Sequence, residues 1–194
     1  MPASGIPLAP SPAWHSRVGS IARGVSPFVG KDTFVGEETI AIDAADAALA
    51  LLEGARAARS EPETSEAAVL AALACAPEDA AVRTAAYKFY FYNSRLAEAL
   101  PHAAWTIVHA ARALGLPDDW RRVEPGAAAF DTLEKGPRLF LQALLAWGYC
   151  KARIGDLAEG IAAMTKVAGL DPHDRFGAAR LAAVVRREGR DEDD

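Results

Sequence analysis

Residues 139–172 are the stretch that most constrains how this chain can fold. They read LFLQALLAWGYCKARIGDLAEGIAAMTKVAGLDP and are apolar almost all round up to Ile154, where Gly155 and Asp156 interrupt the pattern. A helix buried between neighbours has this all-round apolar character, and glycine beside aspartate is typical of a turn. Apolar residues then recur at helical spacing until Pro172, which cannot continue a helix. The stretch predicts two helices joined by a tight turn.

The same stretch resembles a tetratricopeptide repeat, a helix-turn-helix unit of about 34 residues. When Pro172 is matched to the late proline of that family, Trp147 and Gly148 fall at adjacent large and small positions of the first helix. Lys151 stands where the family usually has an aromatic residue, and Gly160 where it usually has alanine. The packing positions of the second helix are then Ile161, Met164 and Val167.

The rest of the chain fits the same architecture. Alanine, a strong helix former, makes up much of the 51% hydrophobic content. Helices are predicted over residues 38–59, from Thr64 or Ser65 as the cap to Cys75, and over residues 78–93 and 96–114. Asp174 is expected to cap a last helix ending at Arg187. The expected fold is all-α, a short right-handed α-solenoid of about three tetratricopeptide-like helix pairs with a C-terminal capping helix.

The chain divides into three predicted segments. Residues 1–36 contain five prolines and no sustained period, which predicts a flexible N-terminal arm. Residues 37–188 form the helical domain, and a loop-rich insertion at residues 117–137 is expected to pack on it. Residues 189–194 are predicted to be an acidic, solvated tail.

Charge and composition exclude several classes of protein. The formal net charge is -5, and four of these charges belong to residues 191–194, so the body is nearly neutral. It has no basic stripe of the kind that nucleic-acid binding requires. Because no leader pattern or long apolar run occurs, we expect a cytoplasmic protein that does not bind membranes. Cys75 and Cys150, both among apolar residues, are expected to be buried free thiols.

The resemblance also implies a binding groove on the concave side of the first helices. An aromatic run, Tyr87-Lys88-Phe89-Tyr90-Phe91-Tyr92, encircles its helix, so that at least one ring is expected to face outward. Mixed cations and rings favour a peptide or protein partner that carries an acidic side chain or a C-terminal carboxylate. The groove positions carried over from the family are Arg83, Lys88, Phe91, Tyr92, Gln142, Leu145, Tyr149 and Arg153.

Two alternatives to a peptide-binding adaptor or chaperone remain open, first a self-assembling structural homo-oligomer and second an enzyme without a recognisable motif. Trp120, Arg121 and Arg122 in the insertion either extend the binding surface or clamp the repeats together. The exposed rings could instead join two copies of the chain as a homodimer or larger assembly. An enzyme, a cofactor and a metal site are not expected, because no catalytic motif occurs and His102 and His109 are too far apart to share a metal.

A second resemblance concerns two shorter segments. YKFYFYNSRLAEALPHA and LDPHDRFGA are similar to segments of small tetratricopeptide proteins that accompany nitrogen-fixation genes in proteobacteria. This resemblance implies an accessory or assembly role around an oxygen-sensitive metalloenzyme.

Overall fold

The structure is a computed structural model that describes residues 46–55, 61–132 and 134–191. Within these ranges all regular structure is helical and no strand occurs, which confirms the predicted all-α class. The predicted arm, the start and end of the predicted first helix and residues 192–194 lie outside the described residues. No helix in the described ranges combines the length and apolar character needed to cross a lipid bilayer.

The described ranges contain seven α-helices and one 3-10 turn. From α2 onward each α-helix packs on the next α-helix along the chain, including α4 on α5, which the insertion separates in sequence. Helix α3 also contacts α5. The first helix joins them through a small apolar cluster in which Ala48 and Leu52 pack with Ala72 and Val82. The elements are α1 over residues 46–55, α2 Pro62–Cys75, α3 Ala80–Tyr92, α4 Leu96–Ala113, the 3-10 turn Trp120–Arg122, α5 Lys135–Arg153, α6 Leu157–Leu170 and α7 Ala178–Asp191.

Two helices begin earlier than the sequence predicts. Proline in the first turn of a helix loses no intrahelical hydrogen bond, because the N–H it lacks would have had no partner there. Pro62 therefore opens α2, and the predicted caps lie inside the helix, where the Ser65 hydroxyl donates to the Ala55 carbonyl at 2.6 Å. Pro137 likewise lies in the first turn of α5, which begins at Lys135.

The last helix differs from its prediction at both ends. It begins at Ala178, after Gly177 at a positive φ of 64°. The Asp174 carboxylate still accepts the Ala179 N–H at 3.3 Å, although Asp174 lies outside the helix. The helix then continues to Asp191, so the first residues of the predicted acidic tail are helical.

Helices α5 and α6 cross at a pair of glycines. A Cβ placed on Gly160 would lie 2.5 Å from the Gly148 carbonyl oxygen and 2.6 Å from the Ala152 backbone nitrogen. A Cβ on Gly148 would meet the Ala163 Cβ at 2.9 Å. Two backbones this close leave no room for even a methyl group at residue 160, which explains why glycine stands where the tetratricopeptide pattern usually has alanine.

The insertion between α4 and α5 is packed on the helices, as the sequence predicts. Trp120, Val123 and Phe130 are buried in the main core. Arg175, just before α7, donates to the carbonyls of Phe130 and Thr132 and pairs through Nε with the Asp171 carboxylate at 3.2 Å. The Asp171 side chain is also held by its own turn, because it accepts the Arg175 backbone N–H at 2.7 Å. Arg175 therefore ties the insertion to the connection between α6 and α7.

A row of side chains ties α2 to α3 and α4. Glu66 of α2 pairs with Arg95 at 2.6 Å, and the Arg95 guanidinium lies 4.8 Å from the centroid of the Tyr90 ring. The Tyr90 ring is stacked on His102, with centroids 5.8 Å apart. Nη1 of Arg83 then approaches Nδ1 of His102 to 3.3 Å. We call these five residues the α2–α4 tie.

The histidine of this tie is held in its neutral form. A guanidinium can only donate, so Nδ1 of His102 must accept from Arg83 and cannot carry a proton. Burial, and next the charge of Arg83, lower the pKa of His102 below its ordinary value. Arg83 is also fixed from the other side, by Glu78 at 3.1 Å and by the Pro77 carbonyl.

The two cysteines have different surroundings. Both are free thiols, as expected, but Cys75 is exposed, so its predicted burial was wrong. It is the last residue of α2, directly before the connection to α3. Cys150 is buried inside α5, and burial raises the pKa of its thiol to about 11.

The glycine crossing predicts opposite effects for two alanine substitutions in α6. Gly160→Ala should destabilise the fold by about 1–3 kcal/mol, because α5 and α6 must move apart to admit the methyl group. Gly169→Ala is the matched control, since a Cβ there has no atom within 4 Å. It should stabilise the helix by up to about 1 kcal/mol. Urea unfolding followed by circular dichroism measures both, and equal stabilities would contradict the crossing.

The contacts of Arg175 predict that removing its charge lowers the free energy of unfolding by more than removing an exposed ion pair does. Arg175→Gln should lower the free energy of unfolding by about 2–4 kcal/mol, because it leaves the buried Asp171 carboxylate and the loop carbonyls without their cation. Arg112→Gln, which removes the exposed pair between Arg112 and Asp118, is the control and should lose less. The same urea titration compares the two variants, and a smaller loss for Arg175→Gln would refute the tie.

The α2–α4 tie predicts that stability falls as the solution is acidified. His102 has a lower pKa folded than unfolded, so the unfolded chain binds more protons as the pH drops through about 6.5. Stability should therefore be full above this pH and decline toward the folded-state pKa. Unfolding at several pH values from 7.5 to 5 measures the slope. His102→Gln should flatten it, whereas His109→Gln, at an exposed position, should leave it; equal slopes in all three proteins would contradict the assignment.

Candidate binding groove

A cavity of about 230 Å³ lies between α3, α5 and α7. Its walls come mainly from one face of α5 and from both ends of the aromatic run in α3. The residues that line it are Tyr87, Lys88, Phe91, Tyr92, Gln142, Leu145, Ala146, Tyr149 and Leu181.

A larger cavity of about 770 Å³ adjoins the first. Lys88, Tyr92 and Gln142 line both cavities, so the two are neighbours, and we call them together the groove. The larger part is bordered by α1, α2, α3 and α5. Its other lining residues are Leu52, Ala55, Ser65, Val69, Ala80, Ala81, Thr84, Ala85, Phe89, Asn93, Lys135, Arg138 and Leu139.

Three aromatic rings are in contact at the smaller cavity. Phe91 meets Tyr92 edge to face with centroids 5.6 Å apart, and it meets Tyr149 of α5 at 5.7 Å. The Tyr92 side chain is 79% exposed, whereas Tyr87 and Tyr90 are buried. The aromatic run thus divides between core and groove, as expected for rings that encircle a helix. Burial raises the pKa of Tyr87, so its phenol stays neutral.

The charged side chains that line the groove are all cationic among the described residues. They are Lys88, Lys135 and Arg138, and no described aspartate or glutamate lines either cavity. Lys135 and Arg138 are exposed and form no ion pair with a described residue. The Lys88 ammonium lies 6.0 Å from the centroid of the Tyr87 ring. The groove is therefore suited to an anionic ligand.

Six of the eight groove residues predicted from the sequence line the smaller cavity. Arg83 and Arg153 do not line either cavity. Arg83 belongs to the α2–α4 tie, where its guanidinium lies 5.5 Å from the Trp105 ring centroid. Arg153 is exposed at the last residue of α5.

Sequence reasoning missed two of the three groove cations. Lys135 and Arg138 lie in the first turn of α5, four and one residues before the predicted start of that helix. Pro137 conceals them, because a proline at this position is equally typical of the predicted loop that precedes the helix. Because proline is tolerated in the first turn of a helix, Pro137 is also compatible with a helix that includes both residues.

The predicted extension of the groove lies elsewhere in the structure. Trp120 is buried and meets Trp147 with centroids 6.0 Å apart. Arg121 covers the Trp120 ring at 4.4 Å and pairs with Glu159 of α6. Neither these residues nor Arg122 line the two cavities. Of the two alternatives for this segment, Trp120 and Arg121 have the contacts that a clamp requires.

The described residues offer no group of three His, Cys, Asp or Glu side chains placed to hold a metal ion. The His109 ring is stacked on the Trp105 indole, with centroids 4.8 Å apart. His102 has its place in the α2–α4 tie.

Comparison with known proteins finds a relative of this chain in Azotobacter chroococcum mcd 1. No family profile and no solved structure matches the chain. An uncharacterized 19.8 kDa protein in the nifW 5' region of Azotobacter chroococcum mcd 1 is 36% identical over 124 residues, which span 63% of this chain and 70% of that protein. This chain belongs to the same family as that nifW-region protein.

Proposed function

We propose that this protein is a non-catalytic adaptor or chaperone that binds an anionic peptide segment of a partner protein in the groove. The observation that carries the proposal is the groove itself, two adjoining cavities with aromatic walls and three cations, whose described lining residues include no carboxylate. Rings beside cations are frequent anchors in protein interfaces.

The arrangement of the helices supports a repeat architecture for this adaptor. Most groove residues come from α1, α3 and α5, which are the first helices of the three predicted pairs, and Leu181 comes from the proposed cap α7. In a tetratricopeptide-like solenoid the first helices line the concave side. Packing of each helix on its neighbour along the chain fits the same arrangement. We therefore propose a short right-handed solenoid of three pairs and a cap.

The chemistry of the groove supports binding in preference to catalysis. Its described lining residues include no histidine, cysteine or carboxylate, the side chains that most often transfer protons or attack substrates near neutral pH. Its ionisable groups are lysine, arginine and tyrosine. At pH 7 lysine and arginine side chains carry a constant positive charge and tyrosine side chains form hydrogen bonds, and both properties suit a binding surface.

The relative's location supports a more specific setting. The Azotobacter protein is described by its position in the nifW 5' region. We propose that this chain acts as an accessory protein in nitrogen fixation and that its partner takes part in the assembly or protection of the nitrogenase metalloenzyme. The protein is then expected to act in the cytoplasm.

Charge reversal in the groove tests the proposal. Lys135→Glu combined with Arg138→Glu should weaken partner binding at least about tenfold, because attraction becomes repulsion at two exposed sites. Partners would be captured from the native cytosol of cells grown with and without fixed nitrogen, identified by mass spectrometry, and titrated against the purified protein at several salt concentrations. Partners seen only in nitrogen-fixing cells are expected.

A second charge reversal serves as the matched control. Arg186→Glu combined with Arg187→Glu changes the net charge equally on the exposed surface of α7, outside the groove lining. This control should keep the partner and the wild-type salt dependence. If the groove variant retained the partner with unchanged affinity, the groove would not be the binding surface.

Self-association is the second candidate function. Large apolar side chains remain exposed on several helices, among them Leu70 at 50% and Tyr92 at 79%. Burying such groups against a second copy would stabilise a homodimer. Sedimentation equilibrium between 1 and about 100 μM would show a mass that rises with concentration if this were the main role. In an adaptor with an outside partner, the mass should stay that of one chain.

A further inference from the structure

We propose that the ligand is an extended segment carrying an acidic group and, about four residues away, a large apolar side chain. This inference rests on the proposed groove function and specifies which segment the groove selects. Its basis is that the two cavities differ in chemistry and lie at a fixed distance along one helix.

The two ends of the groove are different. The larger cavity contains Lys135 and Arg138, both exposed and without an ion pair to a described residue. The smaller cavity is walled by Phe91, Leu145 and Leu181, with Lys88 at its junction with the larger one. One end is therefore suited to a carboxylate and the other to an apolar side chain. A cavity of about 230 Å³ is at the scale of a single side chain.

Helix α5 sets the distance between the two ends. Arg138, Gln142, Ala146 and Tyr149 recur at spacings of three and four and therefore share one face. Arg138 and Ala146 are eight residues apart, about 12 Å along the axis at 1.5 Å per residue. A strand rises about 3.3 Å per residue, so about four residues of an extended ligand span this distance.

Gln142 favours an extended ligand over a helical one. Its amide is half-buried where the two cavities meet, and it forms no side-chain hydrogen bond within the described part of the chain. Such an amide can donate and accept at the same time, which matches the unpaired N–H and C=O groups of an extended backbone. A helical ligand has already paired these groups within itself. Thr84 and Asn93 add further polar side chains to the larger cavity.

Selection from a random decapeptide library on the full chain tests the inference. The wild type should enrich peptides with Asp or Glu and a large apolar residue about four positions apart. Ala146→Leu fills the smaller cavity and should remove only the apolar preference. Lys135→Gln combined with Arg138→Gln should remove only the acidic preference. Leu181→Phe fills the same cavity from α7 and replaces the first variant if circular dichroism shows that Ala146→Leu unfolds.

Affinities of one selected peptide then measure the coupling. Replacing its apolar residue with alanine should weaken binding to the wild type about tenfold, and replacing its acidic residue with the amide should do the same. The alanine replacement should have almost no effect on Ala146→Leu, and the amide replacement almost none on the Lys135/Arg138 variant. This pattern is a double-mutant cycle for each end of the groove.

Other results would overturn the inference. Enriched peptides without an apolar residue, or with no fixed spacing between the two groups, would show that the cavities do not act together. A library that enriches nothing would also overturn it. The proposed groove function is tested separately, by capture of the natural partner. If Lys135→Glu/Arg138→Glu loses this partner and Ala146→Leu keeps it, the groove function is supported and this inference is refuted.

Discussion

The contact between the backbones of α5 and α6 is the constraint on which the rest of the structure depends. Gly160 faces Gly148 so closely that no side chain fits between the two helices. Helix α5 contributes residues to both cavities, and α6 packs on α7, which supplies Leu181. The depth of the smaller cavity therefore depends on the distance between the backbones of α5 and α6. A wider crossing would displace Ala146 and Leu181 relative to each other.

Arginine and lysine residues serve two separate purposes in this chain. Arg83, Arg95 and Arg175 hold elements together, and each has defined partners, which include backbone carbonyls, carboxylates and ring faces. Lys135 and Arg138 have no such partners among the described residues and face the groove. A cation whose bonds are satisfied stabilises the fold, whereas one that remains solvated is available to an incoming anion. The net negative charge of the whole chain does not reveal this local excess of positive charge.

Periodicity and turn residues predicted most of the helix positions. The start of α6 at Leu157 and its end before Pro172 follow directly from Gly155-Asp156 and from the proline. Six of the positions carried over from the tetratricopeptide resemblance line the smaller cavity, because residues at regular spacing on one helix share a face. Helix starts were less predictable, because Pro62 and Pro137 are compatible with either a loop or a first turn. Arg83 could not be assigned correctly from spacing alone, since its partners His102 and Trp105 lie on the next helix.

The larger cavity lies between helices of the small apolar cluster and helices of the main core. Helices α1, α2 and α3 share the small cluster of Ala48, Leu52, Ala72 and Val82, and α3 reaches the main core of α5 through Tyr87. Beyond that cluster, α2 is held by Glu66 and Arg95. Elements with few apolar contacts open at lower free energy than the core does. If the proposed ligand contacts α2 and α5 at once, it would stabilise the packing of α2 by mass action, and its binding would be thermodynamically linked to the docking of the N-terminal helices.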